Sequence, residues 1–165
     1  MIAVTTQAIA EEEKGKIGIG SYVLTVNEER AATTVSYVWS GTAIIGGYDI
    51  TDNITANGSY YSLTEDIDSN STMKGFDASV RFGPNGLGFT YYGGLGLYSE
   101  TWNHSLGNVS GSYSGGLMEA GFGYNWKDVN LNWNVISFRT AKDYKGTSPN
   151  SFSAGTGAIS IAYRF

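Results

Sequence analysis

The chain has 165 residues, 41% hydrophobic and only 15% charged, with 23 Gly, 12 Tyr, no Cys and a formal net charge of -5. This length suits one domain, the aromatic content with so little charge excludes a disordered chain, and the lack of Cys excludes disulfides and thiolate metal sites. The acidic balance argues against nucleic acid as a partner; no run of 18 apolar residues supports a transmembrane helix, although a membrane barrel hides its apolar residues in alternation.

Residues 1–10, MIAVTTQAIA, place Ala8-Ile9-Ala10 before an acidic run. That pattern reads as the remnant of a secretory signal, leaving 11–165 as a single barrel domain. From there period-two alternation replaces helical periodicity. Strands are predicted at 16–26, 33–50 and 54–63, with Thr51-Asp52-Asn53 as a turn between the second and third. A polar loop at 64–72 leads to a strand at 73–83, where Phe76, Ala78, Val80 and Phe82 alternate with Asp77, Ser79 and Arg81. Pro84-Asn85-Gly86 is a tight turn, Pro84 presetting φ and Gly86 supplying a positive one. Strands at 87–102 and 113–126 flank a loop at 103–112. Lys127-Asp128 is a two-residue turn. The seventh strand, 129–141, sets Val129, Leu131, Trp133 and Val135 against Asn130, Asn132 and Asn134. A loop at 142–153 precedes the eighth strand, 154–165.

Short connections alternate with longer polar ones, the first of these at 27–32. A closed, all-β, eight-stranded antiparallel up-and-down barrel would put the short turns at one end and the long loops at the other. That is the layout of a transmembrane barrel of the bacterial outer membrane.

Alternation alone fits two barrels that are inside out relative to each other. A soluble, lipocalin-like barrel turns its apolar set inward around a ligand; a membrane barrel turns it outward into lipid. The polar set discriminates, because a soluble barrel would dress its outer face with ions. Here that set is mostly Asn, Ser and Gly, as suits the crowded lumen of eight strands. Its charged members, Asp77, Arg81, Glu119 and Arg164, balance in sign and are expected to pair inside, since a buried charge needs a partner. Two aromatic belts are expected at the membrane interfaces: Tyr48, Phe82, Phe89, Tyr124, Trp126 and Phe165 near the short turns, and Trp39, Tyr60, Tyr98 and Trp102 near the long loops.

The sequence ends on Phe165, with Ile159, Ile161 and Tyr163 at alternate positions before it. This stretch resembles the C-terminal assembly signal of bacterial outer-membrane proteins. Residues 16–165 resemble the small eight-stranded outer-membrane barrels of the OmpX/OmpA type, and "GGYDITDNITANGSYY" (46–61) is similar in style to their second hairpin. The resemblance implies an integral protein of the outer membrane. It implies partnership with lipopolysaccharide and, during biogenesis, with the barrel-assembly machinery, and it fits a monomer.

Candidate chemistry is sparse. Some barrels of this kind are lipid A deacylases with His and Ser two apart on a strand, whereas His104 and Ser105 are adjacent here, with Glu100 as the available acid. A nucleophile needs its base within hydrogen-bond reach, so no catalytic residue is assigned. Asp66, Asp68, Asn70 and Asp77 mimic a calcium loop, but Ser71 replaces the required Gly and no helices flank it. Glu65, Asp66 and Asp68 remain candidates for loose Ca²⁺ or Mg²⁺ binding among lipopolysaccharide phosphates, with no resident metal or cofactor expected. The leading function is a structural or surface-interaction barrel acting through its outer loops. Three alternatives stay open: a carrier or narrow channel for small hydrophobic molecules, with a wall interrupted at Gly41, Gly46 and Gly47 or at Gly93, Gly94 and Gly96; a lipid A-modifying enzyme; and a soluble ligand-binding barrel.

Overall fold

The computed structural model describes residues 14–140, 144 and 150–165; the signal remnant read at 1–10 lies outside them. Eight strands follow one another around a closed cylinder. They are β1 (Gly15–Arg30), β2 (Thr33–Thr51), β3 (Ile54–Glu65), β4 (Ser71–Phe82), β5 (Gly88–His104), β6 (Val109–Asn125), β7 (Val129–Arg139) and β8 (Ser151–Arg164). β1 closes the wall on β8, with Lys16 opposite Arg164 and Glu29 opposite Ser151. Closure removes the sheet edges, so backbone donors and acceptors are satisfied strand to strand, as a wall in hydrocarbon demands.

The two faces of this wall are inverted relative to a soluble protein. Leu95 is 58% exposed, whereas Arg139 is 5% exposed. On β8, Ile159, Ile161 and Tyr163 face outward while Ser160, Ala162 and Arg164 are buried. Only a lipid solvent makes that arrangement favourable, because exposed aliphatics gain nothing from water and buried ions lose their hydration.

β7 breaks the alternation in mid-strand. On β7, Val135 and Ile136 lie where the register shifts between Asn134 and Ser137, and both point outward, 51% and 42% exposed. Two residues opposing one form a β-bulge, which reverses the phase of everything beyond it. Phe138 is thereby exposed and Arg139 buried. A strict alternation from Val129 would have put Arg139 in lipid.

The outer connections are shorter than the sequence suggests. The loop read at 27–32 is strand as far as Arg30, leaving Ala31-Ala32 as the turn: Asn27 pairs with Ser36 and Glu28 with Val35, and Ser36 Oγ donates to Asn27 Oδ1 at 2.7 Å. The loop read at 103–112 shrinks to 105–108, because β5 runs to His104 and β6 restarts at Val109. A membrane-spanning strand needs about 9–11 residues; β2 has 19, and β5 and β6 have 17 each. The surplus lies on the outer side, where outward positions change from aliphatic to Ser40, Thr42, Ser62, Thr64, Ser112 and Ser114. Polar side chains do not stop a strand once it has left hydrocarbon, so the hairpins continue as polar ladders.

Two smaller expectations are corrected. The positive φ after Pro84 falls on Gly88 (φ 100), not Gly86, because the chain swings back into β5 two residues later. Of the aromatics read as an outer belt, only Tyr60 faces outward; Trp39 and Tyr98 are buried, and Trp102 packs against the interior cluster. Trp39 shares the phase of Ala43 and Asp49, both lumenal. The six aromatics near the short turns are exposed on the outside.

Deleting Ile136 removes the extra residue of the bulge and restores strict alternation with Arg139 still facing the lumen, whereas Ile136→Arg puts a charge into lipid, where an Arg near the midplane costs about 2–4 kcal/mol. The deletion variant is expected to keep the heat-modifiable band that the refolded parent gives on a gel, while Ile136→Arg weakens it.

Candidate functional site

The lumen is filled by side chains in layers. In the upper layer Arg139, its side chain fully shielded from solvent, is the shared partner of two acids. Its Nη1 donates to Glu100 Oε2 at 2.7 Å and to the Tyr61 hydroxyl at 3.1 Å. Its Nη2 donates to Asp77 Oδ1 at 2.7 Å and Oδ2 at 3.0 Å, and to the Tyr22 hydroxyl at 2.5 Å. Those hydroxyls in turn donate to carboxylates, Tyr61 to Glu100 Oε2 at 2.7 Å and Tyr22 to Asp77. The Tyr22 and Tyr61 rings stack at 4.5 Å, and the guanidinium lies over the Tyr98 ring at 4.6 Å. A planar fork of donors matches this ring of acceptors in a way that Lys would not.

The next layer centres on Glu119. Arg81 clamps it in a bidentate pair, Nε to Oε1 and Nη2 to Oε2, both at 2.9 Å. Ser79 and Asn134 each add a donor at 2.5 Å, and the Arg81 guanidinium covers the Tyr92 ring at 4.2 Å. At the periplasmic end Lys16 pairs with Asp49 at 3.0 Å, Asn130 donates to Asn125, and Asn125 donates to the Asn85 carbonyl, each at 2.6 Å. The voids left between these layers, one beside Glu119 and one beside Asn85, hold about 30 Å³ each. That is room for about one water molecule apiece, not for a solute.

The four charges singled out in the sequence are all inward, but they do not form one cluster. Arg81 and Glu119 pair with each other. Asp77 turns instead to Arg139, which the sequence reading did not include, together with Glu100, Tyr22 and Tyr61. Arg164 sits at the periplasmic rim and donates to the Trp126 carbonyl at 3.0 Å. Ile159, Ile161, Tyr163 and Phe165 form an outward row on the opposite face of β8.

The other candidates are dispersed. His104 ends β5; Gly107 N–H donates to its Nδ1 at 3.2 Å, and its Nε2 meets Asp68 Oδ2 at 2.9 Å. Ser105 Oγ turns away to Asn70 Oδ1 at 3.4 Å, and Glu100 lies inside the barrel, so Ser105, His104 and Glu100 do not converge. Asp68 accepts from Asn70 N–H at 2.9 Å and Asn70 Nδ2 at 3.1 Å. The Asn70 backbone bond and then its side-chain bond hold the Asp68 carboxyl below the usual range. Asp66 turns to Ser40 Oγ at 2.7 Å while Glu65 shares the inward phase of Leu63. Among the described residues no group of acids or His converges on a point where a metal would sit.

No protein-family model and no curated protein sequence matches the chain. Solved structures do. Ail, the attachment invasion locus protein of Yersinia pestis, is similar with a TM-score of 0.65 at 16% identity, covering 94% of this chain and 100% of that one. Neisserial surface protein A follows with a TM-score of 0.63 at 12% identity, over 90% and 97% of the two chains. OprG of Pseudomonas aeruginosa has a TM-score of 0.54 at 12% identity, over 93% and 97%. At these identities the likeness is one of fold. With the apolar perimeter and the ionic lumen, it defines a bacterial outer-membrane β-barrel of the small eight-stranded class.

Arg139→Met leaves Asp77 and Glu100 buried without their cation and is expected to cost about 3–5 kcal/mol. Adding Asp77→Asn and Glu100→Gln should recover most of that loss. Urea midpoints of the refolded barrel in lipid measure both; a single variant as stable as the parent would contradict the assignment.

Proposed function

We propose that this barrel is a surface-interaction protein of the outer membrane. Its wall is an anchor and its outer hairpins do the recognising. The observation that carries this reading is the combination of a lumen filled with ion pairs and strands that run on, hydrogen-bonded and polar, beyond the hydrocarbon. Rigid ladders present side chains at fixed spacing, and little conformational entropy is lost when they bind. Two similar structures fit such a role: one is an attachment invasion locus protein, the other a surface protein.

Lipopolysaccharide is the proposed surrounding partner. Lys74 supports it, lying exposed on β4 between Ser62 and Thr101, in the zone where the perimeter turns polar. The barrel-assembly machinery is the proposed partner during insertion, reading the outward row Ile159, Ile161, Tyr163 and Phe165. A closed wall with no free strand edge suits a monomer.

Displaying the protein on a non-adherent bacterium tests the main reading. Binding to host-cell surfaces or immobilised glycans should rise over the empty strain. It should fall at least fivefold when residues 28–35 are replaced by a two-residue turn that closes the first hairpin early. Equal binding by both strains, with steady conductance in planar bilayers, would overturn it.

Phe165→Ser, with Tyr163→Ser, is expected to lower the amount of barrel assembled in cells severalfold while refolding into detergent proceeds as in the parent. Immunoblots of heat-modifiable protein read the first, gel mobility the second.

A further inference from the structure

Above the Arg139 layer the lumen opens outward into a cup of about 340 Å³, at the lower end of the range for small-molecule sites. Its wall carries Tyr37 and Trp39 of β2, Trp102 of β5, Tyr113 of β6 stacked on Tyr144, and Phe152 of β8, with the carboxylates of Glu28 and Glu65 among them; Val26 and Met73 form part of the floor, and the Tyr144 hydroxyl donates down to Glu100. Tyr37 and Trp39 are two apart on one strand, their ring centroids 6.1 Å apart and their planes inclined by 27°.

The hydrogen-bonding inventory of this cup is one-sided. The indole N–H groups of Trp39 and Trp102 both donate to the Ser71 hydroxyl, at 3.2 and 2.8 Å. The indoles therefore offer a ligand π-faces and edges but no donor. The Tyr37 hydroxyl donates to Glu28 at 3.4 Å. The described lining contains no Lys, Arg or His. Glu28 is neutralised by Arg30 at 2.6 Å and bonded by Asn150 at 2.6 Å. The Glu65 carboxylate has no hydrogen bond or ion pair among the described residues, and the residue sits opposite Trp39 in the β2–β3 register. The cup thus presents aromatic quadrupoles and one uncompensated negative charge. Among the described lining an anion finds tyrosine hydroxyls but no cationic side chain to offset the Glu65 charge, and a neutral apolar molecule would leave the Glu65 carboxylate against an apolar surface.

We propose that this vestibule is a binding site for a small organic monocation with an apolar body, such as a quaternary or alkyl ammonium. Its charge would lie between the aromatic faces and Glu65. Rings attract a cation through their negative faces, and the attraction strengthens as water is displaced. The Arg139 layer below closes the floor, so the ligand binds and leaves from the outer side. The site goes beyond the surface-interaction reading and its test involves no adhesion, so either can fail alone.

The experiment uses the full chain in lipid nanodiscs, ¹⁵N-labelled at Trp, titrated with benzyltrimethylammonium and separately with uncharged benzyl alcohol. Trp39 and Trp102 line the cup, whereas Trp126 and Trp133 face the perimeter and serve as internal references. The expected result is saturable shifts of the Trp39 and Trp102 indole resonances alone. Benzyl alcohol should bind at least tenfold more weakly, and Glu65→Gln should weaken the cation at least fivefold. Absence of saturable shifts would overturn the proposal, as would equal affinity for the alcohol or indifference to Glu65→Gln. The comparison of two ligands on the parent protein decides the matter even if the variant does not fold.

Discussion

An arginine shielded from all solvent, with two carboxylates on its two terminal nitrogens, holds the centre of this barrel. Eight strands enclose a space just wide enough for side chains, and the lipid outside accepts no charge. The ions that the wall carries must therefore face inward and satisfy one another there. Arg139 does this by joining β3, β4, β5 and β1 through Tyr61, Asp77, Glu100 and Tyr22, strands that do not all touch along the wall. Arg81 and Glu119 repeat the solution one layer down. A buried pair of this kind adds little stability over an apolar filling, but it penalises any register that would separate its partners. The polar lumen thus fixes which residue faces which, and the perimeter then follows.

The fold was legible because it is written twice. On β4 and β8 the apolar and polar sets alternate without interruption, so Val80 and Ile161 declare lipid while Ser79 and Arg164 declare lumen. The Asn series at 130, 132 and 134 is equally plain. Arg139 was not legible, because the count of two runs backward from it across a bulge. One sign of that bulge in the sequence is the adjacent pair Val135-Ile136, followed two residues on by Phe138. An arginine that strict alternation would place in lipid is itself the signal that the phase has changed. Trp39, Tyr98 and Trp102 were misplaced for a different reason: their height in the wall was read, but not their phase. Counting from Asp49 down to Trp39, or from Glu100 to Tyr98 and Trp102, turns all three inward.

The outer half of the molecule follows from the same separation of solvents. Where the perimeter changes from Leu and Ile to Ser and Thr, hydrocarbon no longer restrains the inner face either. Polar ion pairs give way there to an aromatic cup open to the outside. The ladders of β1–β2 and β5–β6 hold that cup at a fixed height above the lipid. A rigid anchor, a sealed core and a shaped outer pole are therefore consequences of one constraint rather than three separate features.

The absence of cysteine makes single-site spin labelling a direct check of that constraint. Labels placed one at a time at Ser79, Leu95 and Ile161 in the lipid-embedded barrel report exposure to dissolved oxygen and to a water-soluble nickel chelate. Labels at 95 and 161 should be relaxed strongly by oxygen and weakly by the chelate, while a label at 79 should be immobile and shielded from both. Strong relaxation by the chelate at 95 and 161, with free access at 79, would mean the apolar face meets water, and the account of this barrel would be wrong.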